Sequence, residues 1–155
     1  MDSNTKKVMF SSKSDEWGTP KDFFRKLDVI YNFTLDPCST PQNAKCKNFY
    51  TMEDDGLEKD WEGETVFVNP PYSKIKDWVL KCHRESLKPN TTVVMLIPSR
   101  TDTKWWHQYC MAAHEIFFVK GRLKFEGGEH AAPFPSAVIV FKTIQIPPKI
   151  KTMER

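Results

Sequence analysis

Short apolar runs alternate with amphipathic stretches along this chain, and the pattern predicts strands separated by helices. The most apolar runs are rich in β-branched residues, as buried strands are. They lie at Thr65–Val68, 92–97, 115–119 and Ser136–Phe141, and a shorter run at 32–36 is stopped by Pro37. We therefore expect five strands, with the run at 92–97 in the centre of a sheet.

Three stretches between the strands have the spacing of amphipathic helices. In the first, apolar residues recur every three or four positions from Phe23 to Ile30. Thr19 is its predicted N-cap, and Pro20 takes the first helical position, where a missing N–H costs nothing. The three helices are expected at 20–31, 73–87 and 103–113.

The order of the elements predicts an α/β fold with a Rossmann-like, mostly parallel sheet. The last two strands have no helical pattern between them, only a connection that contains Gly and Pro. We expect them to form an antiparallel pair added at the C-terminal end of the sheet. A single domain is expected over 15–143, with flexible termini at 1–14 and 146–155.

Composition and charge leave the class of partner open. The net charge of +3 permits nucleic-acid binding without requiring it, and the 13% aromatic content provides rings for stacking on a base. No apolar run is long enough for a membrane span, and the polar start of the chain lacks the apolar core of a signal peptide. We expect a cytoplasmic protein without a membrane partner, either a monomer or a weak homodimer.

The cysteines do not predict a metal site. Cys38, Cys46, Cys82 and Cys110 form no CxxC pair. A zinc site from Cys82, His83 and Cys110 with His107 or His114 would match no ordinary zinc module. We therefore interpret the four as reduced thiols and expect no metal.

The most specific local motif is Asn69-Pro70-Pro71-Tyr72, which directly follows a buried strand. In open α/β sheets, ligands bind at the carboxyl ends of the strands. An exocyclic amine on a nucleobase is a poor nucleophile, because its lone pair is delocalised into the ring. The Asn69 side-chain oxygen and the Pro70 carbonyl can accept hydrogen bonds from the two hydrogens of this amine. The rigid prolines can hold the Pro70 carbonyl in place. Tyr72 offers a ring for stacking on an extruded base.

Acidic residues and a tryptophan accompany this motif. Asp36 ends a short strand at the position of a cofactor-binding turn, although an Asx turn before Pro37 explains it equally well. Either Asp54 or Asp55 is a candidate for a cofactor contact, although a solvated turn before Gly56 explains each of them better when taken singly. Trp17 precedes a helix start, where it either lies over a cofactor or packs against a capping turn.

Together these segments resemble the phage-type DNA N6-adenine methyltransferases, the small Dam-like enzymes of phages and prophages. The matching segments follow the order of the family and extend from Asp15 to Lys142. They are Trp17-Gly18-Thr19-Pro20, Leu35-Asp36-Pro37-Cys38, Asp54-Asp55-Gly56-Leu57, Asn69-Pro70-Pro71-Tyr72-Ser73, the stretch 96–103, the stretch 121–125 and Ala132-Pro133-Phe134-Pro135-Ser136. Ser39-Thr40-Pro41 stands where the wider superfamily has a glycine loop.

The resemblance implies a reduced class I methyltransferase sheet, S-adenosylmethionine as methyl donor and double-stranded DNA as the partner. It implies a phage-encoded enzyme in the host cytoplasm. The catalytic residues that it implies are Asn69, Pro70, Pro71 and Tyr72. The cofactor-binding residues are Trp17, Thr19, Pro20, Asp36, Pro37, Cys38 and Asp55.

Loops that follow later strands provide candidate contacts to DNA. Arginine and lysine would bind phosphates, and the tryptophan pair would stack on or wedge between bases. The alternative is that the tryptophan pair anchors a helix in the core and that the lysines are solvated surface residues, which is the better interpretation of each lysine taken singly. The candidates are Arg100, Lys104, Trp105, Trp106, Arg122 and Lys124.

Three other functions fit parts of the pattern. Methylation of cytosine N4 or of a glutamine side chain uses a similar loop, although cytosine-N4 enzymes more often have Ser at the position of Asn69. A non-catalytic DNA-binding module would have no need of paired hydrogen acceptors. The sequence therefore favours adenine-N6 methylation of DNA.

Overall fold

The computed structural model describes residues 17–143 and 149–155. In this part of the chain, seven strands form one mixed sheet and three α-helices pack against it. The strands are β1 (Leu35–Asp36), β2 (Asn48–Phe49), β3 (Thr65–Val68), β4 (Thr92–Pro98), β5 (Glu115–Lys120), β6 (Ser136–Phe141) and β7 (Lys149–Glu154). The helices are α1 (Lys21–Tyr31), α2 (Ile75–Ser86) and α3 (Lys104–Gln108).

The sheet has the strand order β2-β1-β3-β4-β6-β5-β7. Strands β2, β1, β3 and β4 pair in parallel, while β6 runs antiparallel to both of its neighbours. The expected mostly parallel α/β sheet with a C-terminal antiparallel pair is confirmed. The pair is not an appendage, however, because β6 lies between β4 and β5 and every residue of it is buried.

Both faces of the sheet are covered, and β4 shows how the sequence achieves this. Successive side chains of a strand point to opposite faces. Val93, Met95 and Ile97 pack in the core cluster that includes residues of α2 and α3. Val94 and Leu96 pack with residues of α1 on the other face. A strand buried on both sides explains why this run is apolar at every position.

The helices depart from the sequence prediction at their ends. Pro20 is the N-cap of α1 and no side chain caps this helix, so the prediction of Thr19 as the cap was wrong. Helix α2 begins at Ile75 after a 3-10 turn over Tyr72–Lys74. The predicted helix at 103–113 is divided into α3 and a 3-10 turn over Cys110–Ala112, with the Thr103 hydroxyl accepting the Trp106 N–H at 3.3 Å.

The C-terminal tail is part of the sheet rather than frayed. Strand β7 pairs in parallel with β5, and the Lys26 ammonium of α1 donates to the Glu154 carbonyl at 2.8 Å. The expectation of a flexible tail is therefore wrong for residues 149–155. Only Met153 of β7 is buried, which left almost no apolar pattern to reveal the strand. The expected flexible segment at 1–14 and residues 146–148 lie outside the described residues.

The topology brings one end of several strands together. Because β1, β3 and β4 are parallel, the residues that follow them meet at the same edge of the sheet. Antiparallel β6 begins at this edge, and the Ser99 N–H donates to the Pro135 carbonyl at 2.9 Å. Within the described residues, none of the helices has the length and apolar character to cross a bilayer.

Candidate functional site

A cavity of about 630 Å³ opens at this edge of the sheet. It lies between the segment before α1, the loops after β1 and β3, and the stretch from Thr51 to Leu57. Nine of the eleven predicted catalytic and cofactor residues line it: Trp17, Thr19, Asp36, Pro37, Cys38, Asp55, Asn69, Pro70 and Pro71. Pro20 and Tyr72 are not among the lining residues.

The side chain of Asn69 is fixed by two acceptors. Its Nδ2 group donates to the backbone carbonyl of Trp17 and, at 2.9 Å, to the hydroxyl of Thr19. A backbone carbonyl can only accept, so the amide atom that faces it must be the NH2 group. Thr19 is 2% exposed, and its hydroxyl accepts from the Asn69 amide instead of capping α1.

This arrangement leaves the other amide atom of Asn69 without a partner within the described ranges. Its Oδ1 is buried and has no hydrogen-bond partner among the described residues. A buried acceptor without a partner is costly, and such atoms in native structures call for an explanation. Here the atom lies on a side chain that lines the cavity, where a ligand N–H would satisfy it.

The backbone on either side of Pro70 is also held. The Cys38 thiol donates to the Asn69 carbonyl at 3.4 Å, and the Pro71 carbonyl accepts the Lys74 N–H at 3.1 Å. Desolvation raises the pKa of Cys38, so this group remains a neutral thiol donor. With its two neighbours fixed in this way, Pro70 can present its carbonyl in a constant position.

Tyr72 packs in a cluster of aromatic rings beside the cavity. Its ring lies 5.4 Å from that of Phe134 and 6.5 Å from that of Trp17, measured between centroids. The hydroxyl is buried without a hydrogen-bond partner in the described part of the chain. Burial raises the pKa of Tyr72, while the charge of Arg100 acts in the opposite direction and to a smaller extent. Arg100 is therefore close to this cluster.

Asp36 shapes the loop that follows β1. It is 4% exposed, and its carboxylate accepts the backbone N–H groups of Cys38 at 3.4 Å and Lys45 at 3.0 Å. Thr40 and Asn43 close the same loop through reciprocal side-chain to backbone hydrogen bonds. A buried carboxylate thus organises this loop in place of the missing glycines. The Asx-type contact and a position at the cavity are both present, and neither excludes the other.

The two adjacent aspartates have different positions. Asp54 accepts the Thr51 N–H at 2.9 Å and the Thr51 hydroxyl at 3.0 Å, so it closes a turn. These hydrogen bonds lower the pKa of Asp54. Asp55 lines the cavity instead, with a left-handed backbone at φ 57°. Of the two candidates, Asp55 is the one that lines the cavity.

Gly56 lets two loops of the cavity pack against each other. A Cβ atom at this position would lie 2.1 Å from the Pro37 carbonyl oxygen, which is far inside contact distance. The Gly56 carbonyl also accepts the indole N–H of buried Trp61 at 3.1 Å. The role of Gly56 could not be predicted from the sequence, because a close approach between loops leaves no local signal.

We expect Gly56→Ala to destabilise the protein by about 1–3 kcal/mol, because backbone on both sides prevents relaxation. The free energy of unfolding from urea denaturation measures the effect. Glu58→Ala, an exposed change in the same 3-10 turn, should stay within about 0.5 kcal/mol of the parent. Equal stabilities of the two variants would show that the contact does not restrict the loops.

The candidate DNA-binding residues divide into two groups. Arg100, Lys104, Arg122 and Lys124 are exposed, and the Arg122 guanidinium also donates to the Ala132 carbonyl at 3.3 Å. Trp105 and Trp106 are only 8% and 2% exposed and belong to the hydrophobic core. They cannot stack on a base without unpacking α3, so their assignment to DNA was wrong.

Several residues that line the cavity were not predicted from the sequence. Gly18 stands in the segment Trp17-Gly18-Thr19-Pro20 but was given no role. The others lie in no recognised motif: Asn43, Lys45 and Met52 are in loops, Lys74 is in the 3-10 turn before α2, and Trp78 is in α2. Cys82 and Cys110 are buried in the core. In the described ranges, no group of three or more His, Cys, Asp or Glu residues is placed to hold a metal ion.

Comparison with known proteins places the chain among methyltransferases. It is 38% identical over 130 residues to the DNA N-6-adenine-methyltransferase of Haemophilus phage HP1, covering 82% of this chain and 73% of that protein. It is 31% identical over 121 residues to the DNA N-6-adenine-methyltransferase of Escherichia phage T1, covering 76% of this chain and half of that protein.

A crystal structure of a predicted O-methyltransferase from Agrobacterium tumefaciens superposes with a TM-score of 0.37 at 14% identity, covering 88% of this chain and 64% of that one. The family model for DNA N-6-adenine-methyltransferase (Dam) matches residues 2–152, nearly the whole chain. The chain therefore belongs to the DNA N-6-adenine-methyltransferase (Dam) family.

Proposed function

We propose that this protein transfers a methyl group from S-adenosylmethionine to the N6 amino group of adenine in double-stranded DNA. The observation that carries the proposal is the buried, unpartnered Oδ1 of Asn69 on a side chain that lines the cavity. The Trp17 carbonyl and the Thr19 hydroxyl fix the orientation of this side chain by accepting hydrogen bonds from its Nδ2 group. Membership in the family supports the same reaction.

The cavity suits a ligand of the size and charge of S-adenosylmethionine. Its volume of about 630 Å³ is within the usual range for small-molecule sites. The buried carboxylate of Asp36 and the exposed one of Asp55 line the cavity and favour a cationic ligand, while Lys45, which also lines it, is paired with Glu126. When bound, S-adenosylmethionine supplies an electrophilic methyl group on its sulfonium.

The residues of the Asn69 loop act on the base. Asn69 Oδ1 and the Pro70 carbonyl accept hydrogen bonds from the two N–H groups of the amine. These hydrogen bonds reduce the delocalisation of the nitrogen lone pair into the ring. The acceptors are preorganised, because both are held before any base arrives. Tyr72 provides a ring face for the extruded adenine, at a cost of base unstacking that DNA binding offsets.

The exposed basic residues are suited to hold the duplex. Arg100 lies near the aromatic cluster, and Arg122 and Lys124 follow β5, which ends at the same edge of the sheet. Guanidinium and ammonium groups that contact phosphates fix the register of a protein on DNA without reading its sequence. These residues, together with Lys104, are therefore the proposed phosphate contacts.

Nucleoside analysis of treated DNA tests the proposal. Plasmid DNA without adenine methylation is incubated with the protein and S-adenosylmethionine, digested, and measured for N6-methyladenine and N4-methylcytosine. We expect N6-methyladenine alone. N4-methylcytosine would favour the cytosine enzyme, and the absence of both with DNA binding intact would favour a non-catalytic DNA-binding module.

A further inference from the structure

An ion pair joins the loop after β1 to the connection between β5 and β6 (residues 121–135). The Lys45 ammonium lies 3.1 Å from the Glu126 carboxylate, and the two side chains are 11% and 33% exposed. Lys45 lines the cavity, whereas Glu126 belongs to the connection. Among the residues that the structure describes, no other ion pair includes a residue that lines the cavity.

The Lys45 end of this ion pair is attached to the proposed cofactor site. The backbone N–H of Lys45 donates to the buried Asp36 carboxylate at 3.0 Å, so its backbone closes the loop while its side chain reaches Glu126. Burial is the main cause of the raised pKa of Asp36, and the charge of Lys45 acts in the opposite direction. A ligand that fixes this loop therefore also fixes the ammonium that holds Glu126.

The Glu126 end lies against the segment that orients the Asn69 amide. The Glu126 N–H donates to the Gly18 carbonyl at 2.8 Å, and the two residues form an isolated antiparallel bridge. A Cβ atom on Gly18 would lie 3.1 Å from that of Glu126, closer than an ordinary contact, so the Glu126 side chain packs directly on the Gly18 backbone. The neighbours of Gly18 are Trp17 and Thr19, whose oxygens accept from Asn69 Nδ2.

The connection that contains Glu126 also contains two of the proposed phosphate contacts. Arg122 and Lys124 are exposed, while Leu123 and Phe125, which alternate with them, are buried in the core. This part of the connection is therefore one packed segment. The position of Glu126 is tied to the positions of both basic side chains.

We propose that Lys45 and Glu126 are positioning residues that couple the cofactor site to the DNA-binding surface, so that cofactor and DNA each raise the affinity for the other. This inference rests on the proposed function, because it assumes both ligands. A cofactor in the cavity orders the loop closed by Lys45, and the ion pair then holds Glu126. Arg122 and Lys124 consequently lose less conformational freedom when they bind phosphates. The coupling is reciprocal, since it is a property of the binding free energies.

DNA affinity measured with and without S-adenosylhomocysteine tests this coupling without any methyl transfer. For the parent, saturating S-adenosylhomocysteine should lower the Kd for a duplex that contains the mapped target adenine by about fivefold or more. Lys45→Met and Glu126→Gln should each reduce this ratio of Kd values to within about twofold of unity, because no coupling means a ratio of one. A general loss of DNA affinity or stability does not change the ratio, since it compares each variant with itself.

Three further variants show whether the two residues act through each other. Lys45→Arg keeps the ion pair and should keep the parent ratio. The double variant of Lys45→Met and Glu126→Gln should have the ratio of the single variants, because either change already removes the interaction. Lys151→Met breaks an ion pair with Glu115 at the opposite edge of the sheet and should keep the parent ratio. A parent ratio in either single variant, or an equal loss in Lys151→Met, would overturn the inference.

Hydrogen exchange on the unchanged protein tests the same coupling even if a variant does not fold. S-adenosylhomocysteine without DNA should slow amide exchange at residues 122–128 as well as in the loop after β1, and should leave β7 at its unliganded rate. Protection confined to the loop after β1 would overturn the inference. Formation of N6-methyladenine is measured separately, so a protein that methylates DNA but shows no coupling refutes this inference alone. Absence of N6-methyladenine would instead refute the proposed function.

Discussion

Asn69→Ala is expected to lower kcat for methyl transfer by about 10²–10³, with little change in the Kd for S-adenosylmethionine. The substitution removes a preorganised acceptor that acts on the amine as its charge develops, and deletion of one such group typically has this effect. The loss should appear in kcat rather than in cofactor affinity, because Oδ1 is the proposed acceptor for the amine of the base. Single-turnover rates with radiolabelled methyl donor, together with calorimetry, measure the two quantities.

Two further variants distinguish the role of the Asn69 Oδ1 acceptor from the role of the groups that orient the Asn69 side chain. Thr19→Val removes only the hydroxyl that accepts from Asn69 Nδ2 at 2.9 Å. We expect a decrease in kcat of about two- to tenfold, the usual effect of one hydrogen bond. Asn69→Asp keeps an acceptor oxygen but cannot donate to the Trp17 carbonyl, so its rate should lie between those of Asn69→Ala and Thr19→Val. If Asn69→Ala transferred methyl groups at the parent rate, the proposed catalytic loop would have to be abandoned.

The sequence predicted correctly those strands and site positions whose local residue pattern has a single physical cause. Runs such as Thr65–Val68 and Ser136–Phe141 are apolar at almost every position because the sheet is covered on both faces, and both strands have the predicted bounds. The position of Asn69 followed from the same reasoning, since a polar residue after a buried parallel strand lies at the ligand-binding edge. The role of its Nδ2 partners did not follow, because Trp17 is 52 positions away in the chain.

Other features depend on contacts that no local pattern encodes. Trp105 and Trp106 adjoin basic residues in the sequence, yet their rings complete the core on one face of the sheet. Strand β7 is held by pairing with β5 and has only one buried side chain, so its sequence resembles a solvated tail. The loop after β1 looked anomalous without glycine, and only the structure shows that Asp36 holds it through backbone N–H groups.

Asp36→Ala should raise the Kd for S-adenosylmethionine by about thirtyfold or more. The carboxylate accepts two backbone N–H groups of the loop after β1, and leaving both without an acceptor costs roughly 2 kcal/mol or more. The loop then loses the shape that forms one wall of the cavity. Asp36→Asn has one acceptor oxygen for two donors, so its Kd should lie between those of the parent and Asp36→Ala. Unchanged affinity in both variants would remove Asp36 from the cofactor site.

The pH dependence of the unchanged protein tests the same residue without mutation. Burial raises the pKa of Asp36 above its ordinary value, and hydrogen bonds from Lys45 and Cys38 only partly oppose this. As pH falls through the raised pKa, protonation removes both the negative charge and an acceptor, so the affinity for a sulfonium cation should decrease.

The stability of the fold should respond in the opposite sense. Because the pKa in the folded state is higher than in the unfolded state, the stability cost of ionised Asp36 is present above that pKa and is relieved as pH falls. Cofactor affinity that decreases on acidification in the parent, but not in Asp36→Asn, would identify this carboxylate as the titrating group, whereas identical profiles would assign the titration elsewhere.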